Sequence, residues 1–301
     1  MELTLGPVLF DWKRADLLKF YDEVADMPLD RVYIGEVVCA KKKGLSPKDI
    51  ERVGRMLEGA GKEVVVSTLA VVSNDEEVRL VSEMVSLPFV VEANDLSALN
   101  VAETTGKAEK IFAGPHITAY NAEGVEFLKS AGVGRVVFPV ELPRESVKHN
   151  IEKTGIDAEL FAHGKAPLAF SWRCYTSRAY GLGKSDCRYH CSAHPDGMEI
   201  KSLSGEPVFN VNGTSVLSAR TYTLVEFVED IKEVGVKALR VSPQYRDTGK
   251  VVDIFRERVD GGTGAEALLK LRAISGEEFC NGWYAGGAGK DYTGVKTAIG
   301  V

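Results

Sequence analysis

Three of the chain's five cysteines, Cys174, Cys187 and Cys191, fall within eighteen residues as Cys-x12-Cys-x3-Cys, and Cys39 stands alone far upstream. Thiolates are soft ligands that hold iron–sulfur clusters or zinc, and three on one loop plus one from a distant strand make a closed four-ligand site. Arg173, Arg178, Lys184 and Arg188 surround the thiols; such positive neighbours lower thiolate pKa and offset the charge of a cysteine-ligated cluster. Zinc is the competitor. Its ligand pairs usually come as two Cys-x2–4-Cys or His-x3–5-His knuckles, and here Cys187 with Cys191 supplies only one, although His190 and His194 stand close. Iron–sulfur is the better fit to the spacing, with zinc left open. Cys280, in Glu278-Phe-Cys-Asn-Gly-Trp-Tyr284, has no cysteine neighbour and reads as a small buried apolar side chain.

A scaffold must carry Cys39 to the other three. Short β-rich runs alternate with helical patterns along most of the chain. Strands are predicted at Leu3 to Leu9, Arg31 to Val38, Glu63 to Val71, Phe89 to Glu92, Lys110 to Ala113, Arg135 to Val140, Ala158 to Ala162 and Ala238 to Val241. Segments such as Pro47 to Ala60, Asp75 to Val85, Ala122 to Ala131 and Leu224 to Val234 carry apolar residues at helical spacing. Regular strand–helix alternation means parallel strands joined by crossover helices. Eight such units close a TIM-barrel-like (β/α) fold, whereas six leave an open doubly wound sheet; no Gly-x-Gly-x-x-Gly turn follows a strand to mark a dinucleotide crevice, so the barrel is favoured. The alternation breaks at about residues 167–223, which hold the clustered cysteines and an Asn212-Gly213 hairpin turn. The expectation is one barrel-like domain over 1–301 with an inserted cysteine-bearing loop and hairpin.

In such barrels the reactive groups sit at the carboxyl ends of strands. Glu36 and Cys39 follow the second strand, His163 follows the strand from Ala158, and Ser242 and Gln244 follow the last. Glu36 is a candidate general acid–base group or the partner of an arginine such as Arg240. His163 is a candidate base, or a histidine satisfied by the core. Arg240 is a candidate anchor for an acidic ligand, because a guanidinium fork pairs carboxylates, or the partner of a glutamate on a neighbouring strand. Gly286-Gly-Ala-Gly-Lys290 lacks the first glycine and the Ser or Thr of a phosphate loop and reads as a mobile tail.

Composition bounds the rest. Forty-five per cent hydrophobic and 27% charged residues describe a globular protein with a proper core, and a net charge of -6 argues against a general nucleic-acid binder. No apolar run approaches the roughly 18 residues of a membrane span, and the first residues lack the pattern of a secretory signal, which points to the cytoplasm. An odd cysteine count in a reducing compartment favours metal or redox chemistry over disulfides.

The segments Arg-Cys174-Tyr-Thr-Ser-Arg178, Asp-Cys187-x3-Cys191, Val-Tyr-Ile-Gly-Glu36-Val-Val-Cys39, Arg240-Val-Ser-Pro-Gln244 and Cys280-Asn-Gly-Trp283 together resemble the UbiV branch of the collagenase-like peptidase family, over nearly the whole chain. The resemblance implies a 4Fe-4S cluster on Cys39, Cys174, Cys187 and Cys191, with Cys280 outside it. It also implies a UbiU-type paralogue as heterodimer partner, O2-independent hydroxylation of the ring of ubiquinone precursors, and prephenate as oxygen donor. The family name suggests proteolysis, but neither His-Glu-x-x-His nor Gly-x-Ser-x-Gly occurs. A peptidase with a structural metal loop and a non-catalytic iron–sulfur assembly partner are the alternatives.

Overall fold

A computed structural model describes residues 1–42, 44–107, 111–276 and 278–295. Seven strands follow in order: β1 (Glu2–Leu5), β2 (Arg31–Gly35), β3 (Glu63–Ser67), β4 (Val90–Ala93), β5 (Ile111–Ala113), β6 (Val133–Phe138) and β7 (Asp157–Phe170). Each pairs in parallel with the next. The chain then makes an antiparallel excursion through β8 (Met198–Lys201), β9 (Pro207–Asn212) and β10 (Ser215–Thr223). It returns as β11 (Ala238–Val241), which pairs in parallel with both β7 and β1 and closes an eight-stranded barrel. The short β12 (Phe279–Cys280) lies against β10. Lys110, the first residue of the predicted fifth strand, lies outside the described residues.

The helices fill the crossovers: α1 (Arg14–Ala25), α2 (Pro47–Gly59), α3 (Asp75–Ser86), α4 (Leu96–Thr104), α5 (Ala122–Ser130) and α6 (Arg144–Thr154) alternate with the first seven strands. The short α7 (Tyr175–Ala179) lies in the excursion, α8 (Val228–Val234) precedes the closing strand, and α9 (Thr248–Val259) and α10 (Gly264–Ser275) follow it. Their ends are written locally. Ser46 accepts from the Asp49 amide while the Asp49 carboxylate accepts from the Ser46 amide, and Pro47 takes the first turn of α2, where no amide donor is missed. Val53 and Leu57 of that helix pack into the apolar layer between helices and barrel.

Inside the barrel the chemistry is different. Arg31 and Arg135 share Glu2 at the amino-terminal end, each at 2.6 Å. Above them Arg240 bridges Glu92 and Glu159, both at 2.7 Å, and its guanidinium lies 3.9 Å from the centre of the Tyr33 ring. Tyr33 and Thr4 donate to Glu159, and Ser67 and Asn94 to Glu92, so most of the buried carboxylate capacity is met by hydrogen bonds. Six strands are thereby tied across the interior by polar side chains.

The strands begin close to their predicted starts; β1, β2 and β3 end three or four residues early, while β4, β5, β6 and β11 end within two residues of prediction. Those after β1, β2 and β3 give way to loops at the carboxyl-terminal mouth, where Gly35 permits the turn: its φ is +140°, and a Cβ there would lie 2.3 Å from the Ser67 carbonyl oxygen. Strand β7 runs the other way, past the predicted Ala162 to Phe170, because its second half pairs with β10 instead of the barrel. The hairpin turn falls one residue later than expected. Asn212 pairs with Ser215, so Gly213, at φ +59°, and Thr214 are the turn residues. The Gly286 to Lys290 segment is no trailing tail: Gly287 donates to the Gly282 carbonyl and Arg220 to that of Lys290, folding it back on the Asn281 turn.

Candidate functional site: a cysteine pocket beside the barrel mouth

Cys39, Cys174, Cys187 and Cys191 line one small pocket, together with Lys42, Lys184 and Gly213. Three loops meet there. The loop after β1 brings Asp11, whose carboxylate accepts from the Cys191 thiol at 3.0 Å. The loop after β2 brings Cys39 and is shaped by Glu36, which accepts from the amides of Val38 (2.8 Å) and Cys39 (3.0 Å) and pairs with Lys42 at 3.2 Å. The excursion brings the other three cysteines.

The hairpin tip fastens these loops together. Thr214 donates its hydroxyl to the Val38 carbonyl at 2.6 Å, beside Cys39. The Gly213 carbonyl accepts from the Tyr175 amide at 2.7 Å and its amide donates to Thr176, beside Cys174. Lys41 reaches across to the Lys184 carbonyl at 3.0 Å, and Trp12 donates to that of Pro195. A strand end and an inserted loop 135 positions apart are thus held by short polar contacts, many to backbone carbonyls.

Among the described residues no group of three His, Cys, Asp or Glu side chains converges as ligands of a single ion. A tetrahedral zinc requires that convergence, with each sulfur about 2.3 Å from one centre. Thiolates that each take a different iron of a cluster stand around a larger group and need not approach one another so closely. The four-thiol donor set is of a kind that can hold an iron–sulfur cluster. Hydrogen-bond donors that sulfur ligands need are present, since the Ser177 hydroxyl (3.1 Å) and amide (3.4 Å) both point at the Cys174 sulfur. Burial pushes the Cys39 and Cys191 thiols up, Asp11 adding to the effect at Cys191, so a bound cationic group must displace protons there.

The other sequence candidates separate. Glu36 pairs with Lys42 on its own loop instead of the arginine expected of it, and burial raises its pKa against the pull of Lys42 and the two amides. Glu36→Ala is expected to cost about 2 kcal/mol, read by denaturant unfolding, and to free the Cys39 turn. Arg240 meets two protein carboxylates, while its Nη2 has no hydrogen-bond partner among the described residues and the side chain lines a small cavity with His116 and Ser242. His163 is turned away from the mouth, edge-on to Phe255 at 5.6 Å and Phe279 at 6.2 Å, and burial holds it neutral with a pKa of about 3. His190 stacks on Tyr180 at 4.0 Å and His194 meets the Tyr180 hydroxyl at 2.9 Å, so both shape the loop. Cys280 is buried on β12 outside the pocket, its thiol pushed up to about 11 by burial.

Sequence reading missed His116. It follows β5 at the mouth, between a small cavity that Ser242 also lines and an apolar one of about 250 Å³ formed by Val71, Pro139, Val140, Leu168 and Phe170. Burial, reinforced by Arg240, lowers its pKa to about 3, leaving a neutral imidazole 4.2 Å from the Phe170 ring. Asp11 was missed too. The rule that strand ends carry the chemistry pointed to both.

Fold and site together define an α/β-barrel protein with a cysteine-lined pocket at its carboxyl-terminal mouth. The chain belongs to peptidase family U32, whose model matches residues 16–293. It is 26% identical over 151 residues to tRNA hydroxylation protein P1 of Bacillus subtilis (strain 168), covering 46% of this chain and 35% of that protein. It is 23% identical over 243 residues to the 23S rRNA 5-hydroxycytidine C2501 synthase of Escherichia coli (strain K12), covering 77% of this chain and 36% of that one. The chain thus spans about a third of the length of these relatives. Among solved structures, thiamine phosphate pyrophosphorylase from Pyrococcus furiosus aligns with TM-score 0.45 and 10% identity, covering 89% of this chain and 96% of that one. Among the described residues no helix is long and apolar enough to cross a membrane.

Proposed function

We propose that this chain is a UbiV-type subunit of an oxygen-independent hydroxylase acting on the ring of ubiquinone precursors in the cytoplasm, paired with a UbiU-type paralogue and using prephenate as oxygen donor. The observation that carries the reading is the gathering of four cysteines, from two distant parts of the chain, into one pocket beside the barrel mouth. Cys39, Cys174, Cys187 and Cys191 are the residues assigned to a 4Fe-4S cluster. When bound, the cluster supplies one-electron transfer, because four thiolates fill every iron position. Lys42 and Lys184 face the thiolates and offset their charge, and Ser177 orients Cys174.

The ring belongs in the apolar mouth cavity. An apolar cavity of about 150 Å³ already admits benzene, and the mouth cavity, which opens to solvent and also carries Thr118 and Glu141, offers about 250 Å³. Neutral His116 lines it and can exchange a hydrogen bond or proton with a ring substituent. Glu92 and Glu159 already answer the charge of Arg240, which keeps only its Nη2 as a free donor, so the main anchor for an acidic oxygen donor with two carboxylates is assigned to the paralogue.

The printed functions of the two relatives favour a second reading, in which the ring is an RNA base. Both are tested by anaerobic purification with and without the paralogue, iron and sulfide counting, and incubation with prephenate and either a quinone precursor or RNA. Hydroxylated quinone precursor from the complex, with iron and sulfide near four each per chain, supports the first. Product from RNA alone favours the second, and a colourless zinc protein ends both.

A further inference from the structure

The surface around the cysteine pocket differs from the rest of this acidic chain. Lys41, Arg173, Arg178, Lys184 and Arg188 flank the cysteines or wall their pocket, in a protein of net charge -6. Arg173, Arg178 and Arg188 are exposed, and Arg188 pairs with Asp186 at 3.5 Å. Aromatic rings stand among them: Trp172 is 60% exposed with the Lys184 ammonium 5.1 Å from its ring centre, and Tyr180 is 43% exposed. Three of the four thiols, Cys39, Cys187 and Cys191, are themselves only partly buried. Large exposed aromatics and arginines are what partner-binding surfaces concentrate, and like-signed charge around them selects a partner of opposite sign.

We infer that this basic, aromatic collar is the docking surface for an acidic one-electron carrier protein, which delivers an electron to the group held by the four cysteines. The inference rests on the cluster reading above. The step moves one electron from the reduced carrier to the oxidised cluster; no bond is made or broken and no proton is transferred. Exposure of the thiol edge gives a short route for the electron, and the collar steers the carrier onto that edge from solution. Such encounters are small and salt-sensitive, because charges beyond a Debye length of about 10 Å at 0.1 M salt are screened.

The test uses the full chain, reconstituted anaerobically and assayed for iron and sulfide, mixed with a chemically reduced, acidic plant-type [2Fe–2S] ferredoxin in a stopped-flow spectrometer. The bimolecular reduction rate is expected to fall roughly tenfold or more as salt rises from low to several times physiological strength, and by a similar factor in Arg173→Glu/Arg188→Glu at low salt. Complex formation, followed by line broadening of the carrier's amide resonances, is expected to weaken in parallel, while a photoreduced flavin reduces both proteins equally. A rate independent of salt, or equal in the variant and the parent, overturns the docking surface and leaves the cluster reading standing. Protein without iron or sulfide after reconstitution overturns the cluster reading and the inference with it.

Discussion

Cys39→Ser protein is expected to fold and to lose its iron. Cys39 lies on a loop beyond the end of β2 and is partly buried, so the mutation removes a ligand without opening the barrel core, whose apolar layer is formed by other residues. The remaining three cysteines share one excursion that depends on the Thr214 to Val38 contact for its position, and that contact survives the substitution. Three ligands on a tethered loop leave one corner of the group open to solvent and air, and metal retention is expected to drop by roughly tenfold or more. Iron and acid-labile sulfide per chain after anaerobic purification measure it. Cys280→Ser, changed outside the pocket, should keep the full complement. Retention of iron and sulfide at the parent level in Cys39→Ser would remove Cys39 from the ligand set and with it the bridge between barrel and excursion.

The second large effect concerns stability. Arg240→Met is expected to destabilise the fold by about 3–5 kcal/mol, the cost of leaving buried carboxylates without their counterion. Glu92 and Glu159 are both at 0% exposure, and Arg240 at 3%. Burial alone would raise the Glu159 pKa, but Arg240, Tyr33 and Arg135 outweigh it and hold the carboxyl below its ordinary value. In the parent, therefore, the stability that Glu159 contributes is complete above the ordinary Glu pKa of about 4.3 and is lost as pH falls through the lower folded value.

Without the guanidinium, burial pushes Glu159 the other way. A raised folded pKa reverses the sign, so the variant should regain stability as pH falls from neutral toward the acidic side, while the parent does not. Urea unfolding at neutral pH and near pH 5 checks both the size and the crossing trend. Arg240→Met/Glu92→Gln/Glu159→Gln, which removes the charges with their counterion, should recover part of the loss. A single variant as stable as the parent would mean that the three groups do not form the barrel's central tie.

Much of the barrel was legible in the chain, because a strand's period and a helix's period are local. Arg31-Val-Tyr-Ile and Ala238-Leu-Arg-Val announce strands from a handful of neighbours, and Ser46-Pro47 with Asp49 announces the start of α2. The closing pairing of β11 with β1 and β7 then follows from counting eight units. Strand ends were less legible: the turn at Gly35 is set by the approach of Ser67 on the next strand, which no local pattern reports.

Residue types and spacing by themselves determined that four cysteines could serve one group, and that the chemistry should gather where strands end. Only the tertiary structure decided the partners. Glu36 chose Lys42 over an arginine, Arg240 was engaged by Glu159 on the adjacent strand and Glu92 across the barrel, and His163 turned outward to Phe255. The Thr214 contact to Val38 and the thiol contact to Asp11 join loops separated by well over a hundred positions, and Gly213 ties the same tip to Thr176. Such choices depend on closure of the sheet and the register of strands around it, which fix which side chains share a layer and a direction. A sequence pattern states which face a residue occupies; the closed barrel decides what stands opposite.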